Sequence, residues 1–342
     1  LLYYRIRNNK IECSYHLYNI KSINEWHKYL FINNKTTLNP ETIKQFMDKR
    51  GTPYYTIKSP QNWTANGCLL SIDDDSLLDG NPISYVKSFT EMIEYTIKTN
   101  GMCDVDLLIN RKDFNYIRLD KRPGYINLYP ADYYNQNQPN IIYPICGQSS
   151  RKEYYEIPVP NNDDWSNLNK TEPLEQEWTN KKPIAIWRGS STGCGITTNT
   201  NNRLKLADIS YKLNKQVNSK NQNGDVKNNN KLGKIIDVGI TKFVKRIKVN
   251  NRQIDFLQKK IYEYLTVQII SKYDESLYKY IFNIEGNAAA YRYSYIFKTK
   301  SVVINIKSPF YMWFEPLLKN NKDFIELDMS EFTFENTLIT RI

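Results

Sequence analysis

Short apolar runs alternate along this chain with stretches of helical spacing. Residues 68–72, 105–109, 183–187, 234–238, 280–284, 301–305 and 324–327 read as strands, several as the continuous apolar type that a sheet covered on both faces requires. In residues 84–98, Val86, Phe89, Ile93 and Ile97 recur at helical intervals, predicting an amphipathic helix. Helices are also expected at 41–49, 202–213 and 255–270, with another starting at 310–318. Strands alternating with helices specify an α/β fold. Residues 1–51 mix helical and extended signals, and 1–53 are poorly placed in the domain scheme. Residues 135–182, rich in Asn, Pro, Asp and Trp, read as irregular chain between two domains. The Asn/Lys/Gly tract at 218–231 reads as a mobile insertion.

Composition narrows this modestly. The 342 residues are 40% hydrophobic and 13% aromatic, enough for two domains of ordinary size. The net charge of +11 suits either an anionic partner or a lysine-rich solvated surface. Basic residues are scattered, with modest clusters at 111–122 and 242–248, so nucleic acid is not the expected partner. Five cysteines (Cys13, Cys68, Cys103, Cys146 and Cys194) form no CxxC pair, and the two histidines are His16 and His27. Neither a zinc site nor a dense disulfide framework is expected. No apolar run reaches membrane-spanning length.

The most informative stretch is Lys279-Tyr-Ile-Phe-Asn-Ile-Glu-Gly-Asn-Ala-Ala-Ala-Tyr-Arg292. A strand stops at Glu285-Gly286, small residues Asn287, Ala288, Ala289 and Ala290 follow, and then Tyr291 and Arg292. This order predicts a strand, a tight turn and a helix whose bare first turn admits an anion. Arg292 would add a forked charge, so a diphosphate cradle is expected. A second turn, Trp187-Arg-Gly-Ser-Ser-Thr-Gly-Cys-Gly195, follows another strand and precedes a helix carrying Arg203. It lacks the Gly-Lys-Ser/Thr ending of a P-loop. Either turn alone is ordinary punctuation; together, each near an arginine, they point to a ligand site. Asp113 closes the polar end of the strand at 105–109, where a carboxylate suits a general base or simply a turn. Asp73 and Asp75 suit either a solvated acidic turn or a divalent-metal clamp.

Three blocks in order give the chain a family resemblance. They are Leu108-Ile-Asn-Arg-Lys-Asp-Phe114; Trp187-Arg-Gly-Ser-Ser-Thr192 with Asn202-Arg-Leu204; and Lys279–Asn283 through Ala290-Tyr-Arg292, Ser301-Val-Val303 and Trp313-Phe-Glu-Pro-Leu317. Asp237-Val-Gly-Ile240 lies between the last two. Over residues 105–327 this resembles glycosyltransferase family 90, the family of the fungal capsule-associated xylosyltransferases and the protein O-glucosyltransferases. The Asn- and Lys-rich composition fits an AT-rich genome, such as that of a large DNA virus.

The resemblance implies a GT-B architecture: two Rossmann-like domains with a cleft between them. Residues 1–175 would form the acceptor-side domain and 176–342 the donor-side domain. It implies inverting transfer of a sugar, glucose or xylose, from a UDP-sugar to a protein or glycan hydroxyl, with neither metal nor cofactor. Asp113 becomes the general base. Arg188, Gly189, Ser190, Ser191, Thr192, Arg203, Asn287, Ala288, Ala289, Ala290, Tyr291 and Arg292 become the donor-binding set. Glu285 and Asn287 depart from the better-known members, so the choice of sugar does not carry over. Familiar relatives work in the secretory lumen; a viral enzyme would work in host cytoplasm or virion. The competing expectations are a metal-dependent GT-A-like transferase using Asp73 and Asp75, and a basic nucleic-acid-binding or structural protein without turnover.

Overall fold

The computed structural model describes residues 2–17, 54–59, 62–65, 68–70, 82–110, 145–152, 154, 156–169, 176–193, 195–222, 235–244, 247–250 and 253–329. The expected helix at 41–49, Asp73, Asp75 and Asp113 lie outside them, as does most of the expected insertion. Internal contacts divide the chain into two compact units, residues 1–169 with 311–313 and residues 170–310 with 314–342.

The first unit carries strands β1 (Leu2–Arg7), β2 (Lys10–Leu17), β3 (Tyr54–Ser59), β4 (Asn62–Ala65) and β5 (Cys68–Leu70). Helix α1 (Pro82–Asn100) follows, then β6 (Val105–Ile109), β7 (Ile145–Gly147), β8 (Ser150–Arg151), β9 (Ile157–Pro158) and α2 (Asn162–Asn169). The region read as irregular chain therefore holds short strands and a helix. Its sheet has the order β5-β4-β3-β2-β1-β6-β7-β9. Pairing is antiparallel from β5 through β6 and parallel from β6 to β9. This mixed sheet differs from the wholly parallel sheet of a simple Rossmann unit. Asn8 and Asn9, both with positive φ (50° and 56°), make the two-residue turn between β1 and β2. Asparagine tolerates that left-handed pair better than most residues.

Strand β1 alternates buried Tyr4 and Ile6 with half-exposed Arg5 and Arg7, the period of a sheet packed on one face. Tyr4 and Ile6 meet Phe89 and Ile93 of α1, together with Ile109 and Cys146. Proline suits the first position of α1 because that N–H has no partner inside the helix. The helix stops at Gly101, whose φ of +68° closes it with a bond from Gly101 N to Ile97 O of 3.1 Å. Asn161 and Asp164 cap α2 reciprocally, each side chain accepting the other's backbone N–H at 2.9 Å.

The second unit runs β10 (Lys182–Ser190), α3 (Asn202–Gln222), β11 (Ile236–Lys242), β12 (Ile247–Asn250), β13 (Gln253–Phe256), α4 (Lys272–Ser276), β14 (Tyr278–Asn283), α5 (Tyr293–Ile296), β15 (Val302–Ile306) and β17 (Ile325–Leu327), and β16 (Phe310–Tyr311) lies where the chain passes from the second unit to residues 311–313 of the first. Its main sheet is parallel throughout, in the order β11-β10-β14-β15-β17. Renumbered along the unit this is 2-1-3-4-5, a doubly wound order whose direction reverses between β10 and β14. Trp187, Val238, Phe282 and Ile304 from the strands share a buried cluster with Leu204, Ala207 and other α3 residues. Ser210 of α3 donates to Ile236 O at 3.3 Å and accepts from Val238 N at 3.0 Å, holding the helix on β11.

Three expected helices take other forms. Residues 253–256 pair with β12 as a hairpin, and 259–265 form a 3-10 helix that buries Tyr262 and Leu265 three residues apart. The latter is the spacing that a 3-10 turn stacks on one side. Phe310–Tyr311 is extended, and Glu315–Leu317 with Pro316 makes a single 3-10 turn. Asn287, Ala288 and Ala289 form a bend rather than a first helical turn, and α5 has only four residues. Residues 218–222, expected in the insertion, complete α3.

Asn201 caps α3, accepting from Arg203 N at 3.0 Å and Leu204 N at 3.2 Å. Asn201→Ala is expected to destabilise the fold by about 1–2 kcal/mol, measured as a lower denaturation midpoint at unchanged slope.

Candidate functional site

The turn after β10 and the turn after β14 meet at the reversal point of the parallel sheet. Crevices outside the carboxyl ends of strands at such a point are where open α/β sheets bind ligands. Gly193 N donates to Asn287 Oδ1 at 3.1 Å, joining the two turns directly.

Arg203 joins them from beneath. Its Nε donates to Glu285 O at 2.8 Å and its Nη2 to Ile284 O at 3.0 Å. Its Nη1 donates to Ser190 O at 3.0 Å and Thr192 Oγ1 at 2.5 Å. The guanidinium also lies 5.1 Å from the centre of the Trp187 ring. Burial, reinforced by Arg292, pulls its pKa down to about 9, while Glu285 opposes that fall. It stays charged at neutral pH. A β-carbon on Gly286 would come within 3.1 Å of Arg203 Nη2 and 3.2 Å of Thr192 Oγ1, so glycine is what admits the fork.

The other sequence-predicted residues divide by what they touch. Arg188 pairs with Asp237 at 2.8 Å and donates to Asp237 O at 2.6 Å. Gly189 leaves room for Trp187, whose ring would stand 2.5 Å from an added β-carbon. Ser190 Oγ lies 3.3 Å from Thr192 Oγ1. Ser191 is fully buried and accepts from Val244 N at 3.0 Å. These contacts make the Arg188–Thr192 turn chiefly a braced wall. Ala288 and Ala290 are buried, while Ala289 and Tyr291 are half-buried.

Arg292 immediately precedes α5. Its Nη1 meets Glu275 Oε1 at 3.0 Å, its Nη2 donates to Arg188 O at 2.7 Å, and its guanidinium lies 5.7 Å from the Trp187 ring centre. A quarter of its side chain stays exposed, whereas Glu275 is only 4% exposed and also accepts from the Tyr295 hydroxyl. Sequence reasoning missed Glu275, because nothing in Lys272–Ser276 marks a residue seventeen positions from its partner. It also missed the buried polar pair Asn283 and Asn305, joined at 2.8 Å across β14 and β15. An asparagine at the same point of two adjacent apolar strands was the available signal.

Glu285 accepts from Asn202 Nδ2 at 2.6 Å, while its Oε2 is buried without a partner. Burial raises its pKa, against hydrogen bonds and the Arg203 charge that lower it.

The sequence model described as "Glycosyl transferase family 90" matches residues 85–333, well over half of the chain. This chain belongs to glycosyl transferase family 90. The family 90 chain is 27% identical over 289 residues to Uncharacterized protein 035R of Invertebrate iridescent virus 3, covering 78% of this chain and 24% of that protein. It is 26% identical over 313 residues to Uncharacterized protein 179R of Invertebrate iridescent virus 6, covering 75% and 24%. A shorter match, 31% over 93 residues, links it to Protein O-glucosyltransferase 3 of Mus musculus, covering 27% of this chain and 16% of that protein. The chain thus spans about a quarter of the length of the iridovirus proteins it matches. Among the described residues no helix of this family 90 chain is long and apolar enough to cross a membrane.

Two outcomes follow from this geometry. Arg203→Lys removes the fork and strands buried carbonyls, so it is expected to destabilise the fold by roughly 3 kcal/mol, measured by chemical denaturation. Glu285→Gln removes a carboxylate whose folded pKa lies above its ordinary 4.5. Wild-type stability therefore falls as pH rises from 4.5 to the raised folded value and then levels off. The melting temperature of Glu285→Gln is expected to gain on wild type across that window and to match it most closely below pH 4.5.

Proposed function

We propose that this protein is an inverting glycosyltransferase that moves a sugar from a UDP-sugar to an acceptor hydroxyl. The observation that carries the reading is the meeting of two family-matched turns at the reversal point of a parallel sheet, with Arg292 beside them. The two compact units, the second with a doubly wound parallel sheet, support a GT-B architecture. The likeness to a mouse protein O-glucosyltransferase supports glucose among the candidate sugars, with xylose the other, and a protein or glycan acceptor.

In this reading Asp113 takes the proton of the acceptor hydroxyl. The oxygen attacks the anomeric carbon as the bond to the diphosphate breaks on the opposite face, and UDP leaves carrying the bonding pair. The charge that develops on the diphosphate needs fixed donors. Arg292 is the candidate: it is held in place by Glu275 and the Arg188 carbonyl, yet remains part-exposed. The Asn287–Ala290 bend has no bulky side chain, so a diphosphate can approach its backbone closely. Arg203 supports this wall from inside and contributes positive potential. The Arg188–Thr192 turn shapes the same site. No metal is required in this scheme.

A panel of UDP-sugars tested for transfer to peptide and glycan acceptors is expected to give one active donor. Asp113→Asn should lower that turnover about 100- to 10,000-fold with the melting curve unchanged, and EDTA should leave it intact. Loss of transfer on chelation, restored by manganese, would instead support the metal-dependent reading through Asp73 and Asp75. Full activity in Asp113→Asn would remove this base from the mechanism.

A further inference from the structure

A guanidinium recognises phosphate by its planar fork, so the orientation its neighbours impose decides what it can hold. Glu275 accepts from two side chains of one short segment. Its Oε1 takes Arg292 Nη1 at 3.0 Å, and its Oε2 takes the Tyr295 hydroxyl. Arg292 Nη2 is held separately, on Arg188 O at 2.7 Å. Pinning both terminal nitrogens fixes the plane of the fork as well as its place. Among the described residues, Nε–H and the second hydrogens of Nη1 and Nη2 meet no further acceptor.

The two holding groups are themselves anchored. Glu275 and Tyr295 are buried. Burial raises the Tyr295 pKa, against the Arg292 charge and together with that of Glu275, so the hydroxyl keeps its proton at neutral pH and donates it to the carboxylate. Helices α4 and α5 have only five and four residues, too few to stand without tertiary support. Ser271 and Asp274 cap α4 reciprocally. Buried Lys181 ties the two helices, its Nζ donating to Ser276 O at the end of α4 at 2.5 Å and to Thr299 O beyond α5 at 2.8 Å. A surface arginine loses rotamer freedom when it grips a ligand; here that freedom is removed beforehand.

We infer that Glu275 and Tyr295 are positioning residues, which together lock Arg292 so that its unused N–H groups are set for a diphosphate before the donor arrives. The inference rests on the sugar-nucleotide reading above and adds to it two residues that act only through Arg292. A clamp and a simple counter-charge forecast opposite results. Loss of a clamp weakens diphosphate binding, because Arg292 must then be ordered by the ligand. Loss of a counter-charge strengthens it, because the phosphates no longer feel the carboxylate. Tyr295→Phe isolates orientation from charge: it deletes the hydroxyl and leaves Glu275 in place.

Calorimetric titration with UMP and UDP tests this. Wild type, Tyr295→Phe, Glu275→Gln, Arg292→Lys and the double variant Arg292→Lys with Tyr295→Phe are each checked for a cooperative melt. Wild type should bind UDP roughly tenfold or more tightly than UMP. Tyr295→Phe and Glu275→Gln should each shrink that ratio about three- to tenfold. Arg292→Lys should shrink it as well, and adding Tyr295→Phe to it should change nothing further, because the residue through which Tyr295 acts has lost its fork. If one single variant melts without cooperativity, the other decides. An unchanged ratio in the variants, or a ratio that rises in Glu275→Gln, would overturn the inference and leave the donor reading standing. The same fractional loss from Tyr295→Phe with Lys at position 292 would overturn it too. Failure of wild type to prefer UDP over UMP would overturn the donor reading, and this inference with it.

Discussion

A single buried guanidinium holds the site together. Arg203 reaches from the first turn of α3 to acceptors on both strand-end turns, two carbonyls after β14 and a carbonyl and a hydroxyl after β10. A charged group that far from water is tolerable only when its donors are met. Here they are met by three backbone carbonyls and the Thr192 hydroxyl at the ends of a sheet. Each side solves the other's problem, so the turns have little freedom to drift. Asn201 extends the arrangement by capping α3 and donating to the carbonyls of Thr192 and Gly195 at 3.4 and 3.3 Å.

Trp187 turns this brace into an electrostatic feature. Its ring lies near both Arg203 and Arg292, so the electron-rich aromatic face eases the approach of two like charges. Glu275 then fixes Arg292 by an ion pair at 3.0 Å. The result is a fixed positive edge beside the small residues of the Asn287–Ala290 bend.

Much of the second unit was legible in the chain. The strands at 183–187 and 280–284 were marked by apolar runs ending in glycine-rich turns, because a sheet covered on both faces excludes polar residues until the strand ends. The helix over 84–98 was marked by its spacing. The first unit was less legible. The Asn8-Asn9 turn is a recognisable hairpin signal, yet the meander it opens depends on pairings between strands far apart in the chain. The segment 255–270 has apolar residues that suit a helix, but β12 captures its first part and the edge of the sheet its last, where Val267 N bonds Ile240 O at 3.0 Å. Backbone pairing across space overrode local spacing.

The sequence by itself determined the α/β class, the family and the two turns, because glycines, arginines and apolar runs state local conformational needs directly. Only the tertiary structure decided which arginine does what. Arg203 and Arg292 are indistinguishable as residues near turns; one is enclosed by carbonyls while the other retains an exposed edge. The same holds for Glu285, Asn283 and Tyr293. Their unpaired atoms exist only because folding carries them out of water and brings no partner along, and that depends on the arrangement of neighbours rather than on the order of residues.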